Sequence, residues 1–160
     1  MSAEFGKPLQ EVSGLIPDVR PFRFIDNPQI IEAGRIGTAD LTDLSTPEFS
    51  FIKEYFPGGE IVPGVILTEA MAELLGTTVA SNQEDLEDKF GVLRRINEMI
   101  FKKAILPSDS IRLEAEVVSF RRGIGTGNVK AYLGEEIACF GSISFGIVNQ
   151  DEFLKKLQRK

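Results

Sequence analysis

The apolar positions of the chain form one long stretch with the character of a buried helix. From Gly64 to about Ala80 they occupy nearly every direction around a helix axis. A helix that is apolar all round is typical of an element buried on every side. Pro63 fits the first helical position, where its missing N–H removes no hydrogen bond. The sequence therefore predicts a single central helix enclosed by the rest of the protein. Its apolar residues are Val65, Ile66, Leu67, Ala70, Met71, Ala72, Leu74, Leu75 and Val79.

The segments on either side of this helix have the patterns of β-strands. "FRFIDNPQIIEAG" predicts a strand with a bend at Asn27–Pro28, and "RIGTADL" predicts its hairpin partner after Gly34. The segment "TPEFSFIKEYFPGG" is aromatic and irregular. After the helix, "FGVLRRINEMIFKKAIL" is a long strand candidate. "SIRLEAEVVSF" places Ile111, Leu113, Ala115 and Val117 on one face and charged residues on the other.

The C-terminal third continues this β pattern. "RRGIGTGN" is a glycine-rich turn, and "VKAYLGEEIACFGSISFGIV" gives two strands around a hairpin at Gly134–Glu135. Short helices are predicted at both ends of the chain, over about Phe5 to Leu15 and, frayed, in the charged tail "NQDEFLKKLQRK". The order of elements indicates an α+β fold, with an antiparallel sheet that curls around the helix and a second subunit covering what remains.

The length of 160 residues suits a single domain over residues 1–160. We expect an N-terminal extension over about 1–14, a core over 15–148 and a charged tail over 149–160. No apolar run is long enough for a membrane span, and the N-terminus has no secretory pattern. The lone Cys139 excludes an internal disulfide and points to a reducing compartment, so a soluble, cytoplasmic protein is expected.

A net charge of −6 argues against nucleic-acid binding, which needs a concentrated basic surface. The basic residues nevertheless form three pairs, any one of which suits a solvated surface. Together they favour a local basic patch that fits a small acidic partner. The pairs are Arg94–Arg95, Lys102–Lys103 and Arg121–Arg122.

The chain contains no histidine. No side chain therefore has an ordinary pKa near neutrality. Proton transfer in this protein has to use a carboxylate, a tyrosine, a lysine or the single cysteine.

The segment "FPGGEIVPGVILTEAMAE" has the properties of a site for a polarised carbonyl group. The amides of Gly64 and Val65 at the helix start have no partner within the helix and lie at the positive end of its dipole. Such amides suit a carbonyl oxygen that gains negative charge. Glu69 follows just over one turn later, and apolar surroundings would raise its pKa. A purely structural role is the competing interpretation. Pro-Gly often precedes a helix, and Glu69 can accept a backbone hydrogen bond or face a second subunit.

The same segment resembles the signature of the FabZ-type 3-hydroxyacyl-acyl carrier protein dehydratases, which have the hotdog fold. The resemblance extends to "LIPDVRPFRFIDNPQII" and to the long stretch from "MIFKKAILPSD" to "IACFGSI", so it covers about Leu15 to Val148. It implies a hotdog domain, in which an antiparallel sheet wraps around one long central helix, and no metal or organic cofactor. It also implies dimers or trimers of dimers whose active sites combine two chains, and an acyl substrate delivered on the phosphopantetheine arm of acyl carrier protein.

Site residues follow from this resemblance position by position. Glu69 matches the catalytic acid, and the amides of Gly64 and Val65 match the group that polarises the thioester carbonyl. The three basic pairs would contact the acidic carrier protein. The expected substrate-binding residues are Phe56, Pro57, Gly58, Pro63 and Ile66.

One departure from the family pattern concerns the catalytic base. The family motif begins Gly-His-Phe-Pro-Gly, whereas Tyr55 stands here at the histidine position. Tyrosine is ordinarily a poor base at neutral pH, and loss of a positioned general base lowers the rate about 100- to 10,000-fold. The family's Asp in a later strand appears here as Asn97, and the Arg-Phe-Arg that follows it appears as Ile100-Phe101-Lys102.

Three functions are consistent with these residues. The first is a dehydratase of altered chemistry, in which Glu69 carries most proton transfer and Tyr55 hydrogen-bonds the substrate. The second is a non-catalytic subunit that binds acyl carrier protein, for example in a heterodimer whose other chain supplies a histidine. The third is a hotdog thioesterase that uses Glu69 and the helix-start amides.

Overall fold

The computed structural model describes residues 22–58 and 60–158. Six strands form one sheet in the order β1-β2-β4-β5-β6-β3, and every neighbouring pair is antiparallel. The strands are β1 (Ile25–Glu32), β2 (Ile36–Leu41), β3 (Lys89–Phe101), β4 (Ile111–Arg121), β5 (Ile124–Leu133) and β6 (Glu136–Asn149). The predicted antiparallel α+β architecture of the hotdog type is confirmed. The helix predicted over Phe5 to Leu15 lies outside the described residues.

The first hairpin contains the predicted bend. Asn27 has a φ of +49°, and the register of β1 against β2 shifts between Asp26 and Gln29. Asparagine tolerates this left-handed conformation better than most residues, and Pro28 removes a donor from the strand. The predicted hairpin at Gly134–Glu135 is also present, between β5 and β6.

The long helix α1 (Gly64–Ala80) lies against one face of the sheet, with most contacts to β4, β2 and β5. Its buried side chains meet alternating residues of the strands in one core, as the pattern of β4 predicted. Gly37 and Gly127 allow the sheet to approach the helix closely. A Cβ at Gly37 would overlap Thr78 Oγ1, and one at Gly127 would overlap Leu75 Cδ1.

Within one protomer the sheet covers only part of α1, and the remaining face is the part for which cover by a second subunit is expected. A narrow stripe of residues along α1 faces away from the sheet. Val65 belongs to this stripe and is 64% exposed. Ala72 and Gly76 are half-buried, and Glu69 is exposed. These residues recur at intervals of three and four, so they share one helix face. We call Val65, Glu69, Ala72 and Gly76 the open stripe.

Several element boundaries differ from the prediction. Strand β3 ends at Phe101 rather than continuing to Leu106, because the chain turns there and the amides of Lys102 and Lys103 both donate to Ala138 O. The turn between β4 and β5 is only Arg122–Gly123, and the rest of the glycine-rich segment lies in β5.

The irregular aromatic segment contains a 3-10 helix over Pro47–Glu54. Pro63 is the N-cap of α1, one position before the first helical residue. The charged tail forms a second helix, α2 (Gln150–Leu157). The Asn149 side chain caps α2 by accepting the Glu152 N–H, and Phe153 packs edge-on against Phe90 of β3 at 5.2 Å.

Over residues 22–58 and 60–158, neither helix combines the length and the hydropathy required of a transmembrane span.

Candidate active site at the start of the central helix

A mostly apolar cleft of about 630 Å³ lies where α1 begins. Its walls come from the segment before α1, the first turn of α1 and the end of β3. The lining residues are Tyr55, Phe56, Ile61, Val62, Gly64, Val65, Leu67, Thr68, Ile96, Met99, Phe101, Lys102, Lys103, Ala104 and Ile105. Thr68, Met99 and Ile105 were not predicted as site residues, because nothing local in the sequence shows that the end of β3 meets the helix start.

The helix start is fixed from both sides. Val62 N–H donates to Ile105 O at 2.8 Å, which ties the residue before Pro63 to the chain after β3. Thr68 Oγ1 donates to Gly64 O at 2.8 Å and holds the first turn. Among the described residues, the amides of Gly64 and Val65 donate no hydrogen bond. Two free N–H groups at the positive end of a helix dipole can receive an oxygen that gains negative charge.

The ring of Phe101 lies directly against Gly64. A Cβ at Gly64 would be 2.8 Å from Phe101 Cζ and 2.9 Å from Cε1. Any residue larger than glycine would therefore push the ring away from the helix start. This contact gives Gly64 a role in the shape of the cleft as well as in its hydrogen bonding.

Tyr55 lies at the C-terminal end of the 3-10 helix, where its N–H donates to Ile52 O at 3.2 Å. The residue is 57% exposed, and its ring packs edge-on against Phe56 at 4.9 Å on the wall of the cleft. Its hydroxyl has no hydrogen-bond partner in the part of the chain that the structure describes. The cleft thus presents a phenol at its entrance.

Glu69 does not line this cleft. It projects from the open stripe of α1, and partial enclosure of its carboxyl raises its pKa. The expected direction of that pKa shift is confirmed, but within one protomer Tyr55 and Glu69 do not share the cleft.

A second carboxyl, which was not predicted as a site residue, lies one turn beyond Glu69. Glu73 is only 4% exposed, and its Oε2 accepts the Phe24 N–H at 3.0 Å. Burial, augmented by the negative charge of Glu69, raises the pKa of Glu73 to about 8. The sequence does contain a signal for Glu73: it is a second acidic residue, four positions after Glu69, on a helix that is predicted to be buried.

The three basic pairs do not form one patch on a single protomer. Lys102 and Lys103 lie at the cleft, where Lys103 also pairs with Glu136. The two arginine pairs lie toward the other end of β3. Arg94–Arg95 follows Val92 in β3, and Arg121 pairs with Ile124 of β5. Val92 and Ile124 flank the same residue of β6, Gly146, so the two pairs lie at the same end of the sheet. Arg94 and Lys102 are eight residues apart along an extended chain, so about 26 Å separates the arginine pair from the lysine pair.

Of the expected substrate-binding residues, Phe56 lines the cleft, whereas Pro57, Gly58, Pro63 and Ile66 are not among its lining residues. Pro63 and Ile66 instead hold the backbone of the first helical turn in place. Pro63 O accepts the Ile66 N–H at 2.9 Å, which closes the first turn behind Gly64 and Val65.

The sequence matches a family model described as "FabA-like domain" over residues 16–141. A 3-hydroxyacyl-[acyl-carrier-protein] dehydratase FabZ of Alkaliphilus metalliredigens is 36% identical over 139 residues, which cover 87% of this chain and 92% of that protein. The protein of the same name from Clostridioides difficile is 31% identical, with coverage of 89% and 98%.

Solved structures share the fold at low sequence identity. The dehydratase heterocomplex ApeI:P from Xenorhabdus doucetiae superposes with a TM-score of 0.75 at 12% identity, covering 96% of this chain and 99% of that one. The fluoroacetyl-CoA thioesterase FlK superposes with a TM-score of 0.65 at 17% identity, covering 81% and 97%.

Proposed function

Since this chain belongs to the FabA-like domain family and is homologous to FabZ dehydratases, we propose that it is a FabZ-like dehydratase acting on 3-hydroxyacyl thioesters of acyl carrier protein. The observation that carries the proposal is the pair of free amides at Gly64 and Val65, presented at the edge of an apolar cleft. The thioester carbonyl is placed at these amides. The acyl chain and the pantetheine arm occupy the apolar space beside them.

The amides serve the step that forms the double bond. When a proton leaves the carbon next to the thioester carbonyl, negative charge develops on the carbonyl oxygen. The two N–H groups and the helix dipole stabilise that charge more than they stabilise the neutral ground state. The 3-hydroxyl group then leaves as water after it receives a proton.

The proposed working form is a dimer paired along β3. This strand is a sheet edge, and among the described residues it pairs only with β6. It exposes Leu93, Ile96 and Phe101, which are unusual on a free edge of a soluble protein. A two-fold axis makes the pairing of two β3 strands antiparallel and brings the open stripes of the two helices toward each other.

In this dimer, Glu69 of one protomer completes the cleft of the other, near Tyr55. Glu69 takes the proton from the carbon next to the carbonyl and delivers a proton to the leaving hydroxyl. The Tyr55 hydroxyl hydrogen-bonds the substrate and orients it. One carboxyl with a raised pKa thereby performs the proton transfers that a histidine and an acid share in the family pattern.

Antiparallel pairing also brings the basic residues together. It places the Arg94–Arg95 end of one β3 beside the Lys102–Lys103 end of the other. Arg121 and Arg122 lie at the same arginine end. The combined surface is basic at the cleft entrance and suits an acidic carrier protein.

A hetero-oligomer is the second candidate, favoured by the likeness to the ApeI:P dehydratase heterocomplex. The chain would pair along β3 with a different hotdog protein that supplies a histidine where this chain has Tyr55. Each chain contributes to both clefts in such an arrangement. The chain alone would then bind acyl carrier protein without turning over its substrate.

The test is an assay of purified protein with 3-hydroxyacyl thioesters on acyl carrier protein, with enoyl product and free thiol measured separately. Enoyl product that disappears with Glu69→Gln is the expected result. Enoyl product only when a second hotdog protein is present identifies the hetero-oligomer. Release of free thiol without enoyl product contradicts the dehydratase and indicates thioester hydrolysis.

A further inference from the structure

The buried carboxyl of Glu73 has one oxygen with a partner and one without. Oε2 accepts the Phe24 N–H at 3.0 Å, whereas Oε1 is buried with no hydrogen-bond partner among the described residues. A buried ionised carboxylate with an unsatisfied oxygen is unfavourable. Protonation removes the charge and converts the unsatisfied oxygen into a donor, so Glu73 is a neutral acid at neutral pH.

The position of that proton follows from the hydrogen bond on the other oxygen. Since Oε2 accepts the Phe24 N–H, the hydroxyl is on Oε1. The groups that act on the carboxyl are the amides of Phe24 and Ile25, the guanidinium of Arg23 and the carboxyl of Glu69. Both amides and the guanidinium are donors. Glu69 is the one acceptor in this set.

Glu69 is well placed to accept from Glu73. The two residues are four positions apart on α1, which puts their Cβ atoms about 5–6 Å from each other on one helix face. Glu69 is exposed, and its carboxyl has no hydrogen-bond partner in the described part of the chain. Turning the Glu69 carboxyl toward Oε1 therefore breaks no existing contact.

We propose that Glu73 is a positioning residue for Glu69: its Oε1–H donates a hydrogen bond to the Glu69 carboxylate, so that the two carboxyls hold one proton between them. The proposal rests on the proposed function in one respect, that Glu69 is the residue that does the chemistry. Glu73 itself touches neither the cleft nor the substrate.

The pair keeps Glu69 ionised and oriented during the proposed dehydration. Glu69 accepts the proton from the substrate carbon, and the C–O bond breaks as Glu69 delivers a proton to the leaving hydroxyl. The Glu73 proton is retained, so no proton is gained or lost by the pair over one turnover. Above a pH of about 8, Glu73 ionises and sets a second negative charge beside Glu69. The hydrogen bond that orients Glu69 is then lost, and two negative charges repel each other on one helix face.

Two variants separate this role from a merely structural one. Glu73→Gln keeps a side-chain oxygen for the Phe24 N–H and an N–H group for Glu69, but it cannot ionise. Glu73→Met has similar bulk and neither group. We expect Glu73→Gln to retain activity within about threefold at pH 7 and to lose the alkaline decline of kcat. We expect Glu73→Met to lower kcat tenfold or more at every pH.

The deciding readout is independent of activity. Infrared spectroscopy of the full-length protein follows the band of protonated carboxyl groups across pH 6–10. We expect one such band to disappear with a midpoint near pH 8, to be absent from Glu73→Gln, and to shift its midpoint to lower pH in Glu69→Gln, by roughly half a pH unit or more. A midpoint that is unchanged in Glu69→Gln, or no carboxyl band that titrates near pH 8, overturns the proposal. Absence of enoyl product from the wild-type chain overturns the proposed function instead and leaves the infrared result to judge the carboxyl pair.

Discussion

The ring of Phe101 lies against the Cα atom of Gly64, so close that a methyl group on Gly64 would come within 3 Å of two ring carbons, at 2.8 and 2.9 Å. This contact joins the end of the edge strand to the start of the central helix. It is the point at which the sheet controls the shape of the proposed oxyanion site.

Gly64→Ala is expected to lower kcat/KM at least tenfold, because the added methyl group displaces the Phe101 ring into the cleft. Phe101→Leu in the same chain makes room for that methyl group, so the double variant should recover part of the loss relative to Phe101→Leu alone. The measurement is steady-state kinetics with a 3-hydroxyacyl thioester. Equal effects of Gly64→Ala in both backgrounds would show that the Phe101 contact is not the cause.

Tyr55→His is expected to increase dehydration about 100-fold or more, since it restores a general base at the cleft entrance. Tyr55→Phe is the matched control, because it keeps the ring and removes only the hydroxyl. We expect a modest loss from Tyr55→Phe, consistent with a substrate hydrogen bond. If Tyr55→His gives no increase, the remaining residues of the cleft have diverged from dehydratase chemistry as well.

The free energy of unfolding should fall as the pH rises from about 5 to 8. The pKa of Glu73 is about 8 in the folded chain and 4.5 in its ordinary state, so in this range the folded protein keeps a proton that the unfolded chain has lost. Each pH unit then lowers the free energy of unfolding by up to about 1.4 kcal/mol. Denaturant unfolding at several pH values measures this effect, and Glu73→Gln should flatten the dependence. An identical slope in both proteins would show that Glu73 ionises freely in the folded state.

Gly37→Ala is expected to destabilise the protein by about 1–3 kcal/mol, because its methyl group would overlap Thr78 Oγ1 where β2 crosses α1. Thr78→Ala removes that hydroxyl and its hydrogen bond to Leu74 O. The double variant should therefore be more stable than the sum of the two single effects predicts. Denaturant midpoints of all four proteins measure the coupling, and strict additivity would contradict a steric conflict between these two groups.

Leu93→Lys is expected to dissociate the proposed dimer, because it places a charge on the exposed edge of β3. Ile31→Lys is the matched control: it puts the same charge on an exposed apolar position of β1, the strand at the other edge of the sheet. Analytical ultracentrifugation should give a monomer for the first variant and the wild-type mass for the second. Dissociation by Ile31→Lys alone would place the interface at the opposite edge.

The fold could be predicted from the sequence because its elements carry strong local signals. The all-round apolar run predicted α1 with its observed bounds, and the alternation from Ile111 to Val117 predicted β4 and its buried face. The bend at Asn27–Pro28 was also visible, since both residues disfavour a regular strand. The predicted ends of strands were less accurate where tertiary contacts determine them. Strand β3 ends at Phe101 because the next two amides donate hydrogen bonds to Ala138 O.

The site was predicted only in its local part. The helix-start amides follow from Pro63 and Gly64, which are adjacent in the sequence. The contribution of Phe101 and Met99 depends on a strand that follows the whole of α1 and a loop, and no local pattern encodes it. The enclosure of Glu69 was overestimated for a similar reason. An apolar run shows that a helix face will be covered, but it does not show whether the sheet or a second chain covers it.

The unequal edges of the sheet limit how far association along it can proceed. The β1 edge carries Pro28, a left-handed residue at Asn27 and two register shifts, so its irregular row of backbone groups is a poor template for another strand. The β3 edge is 13 residues long and can pair with a copy of itself. If two chains pair along β3 as proposed, the pair exposes only β1 edges, and the sheet does not extend to a third chain. The proposed pairing would thereby bury an apolar strand without allowing the sheet to grow into a fibre.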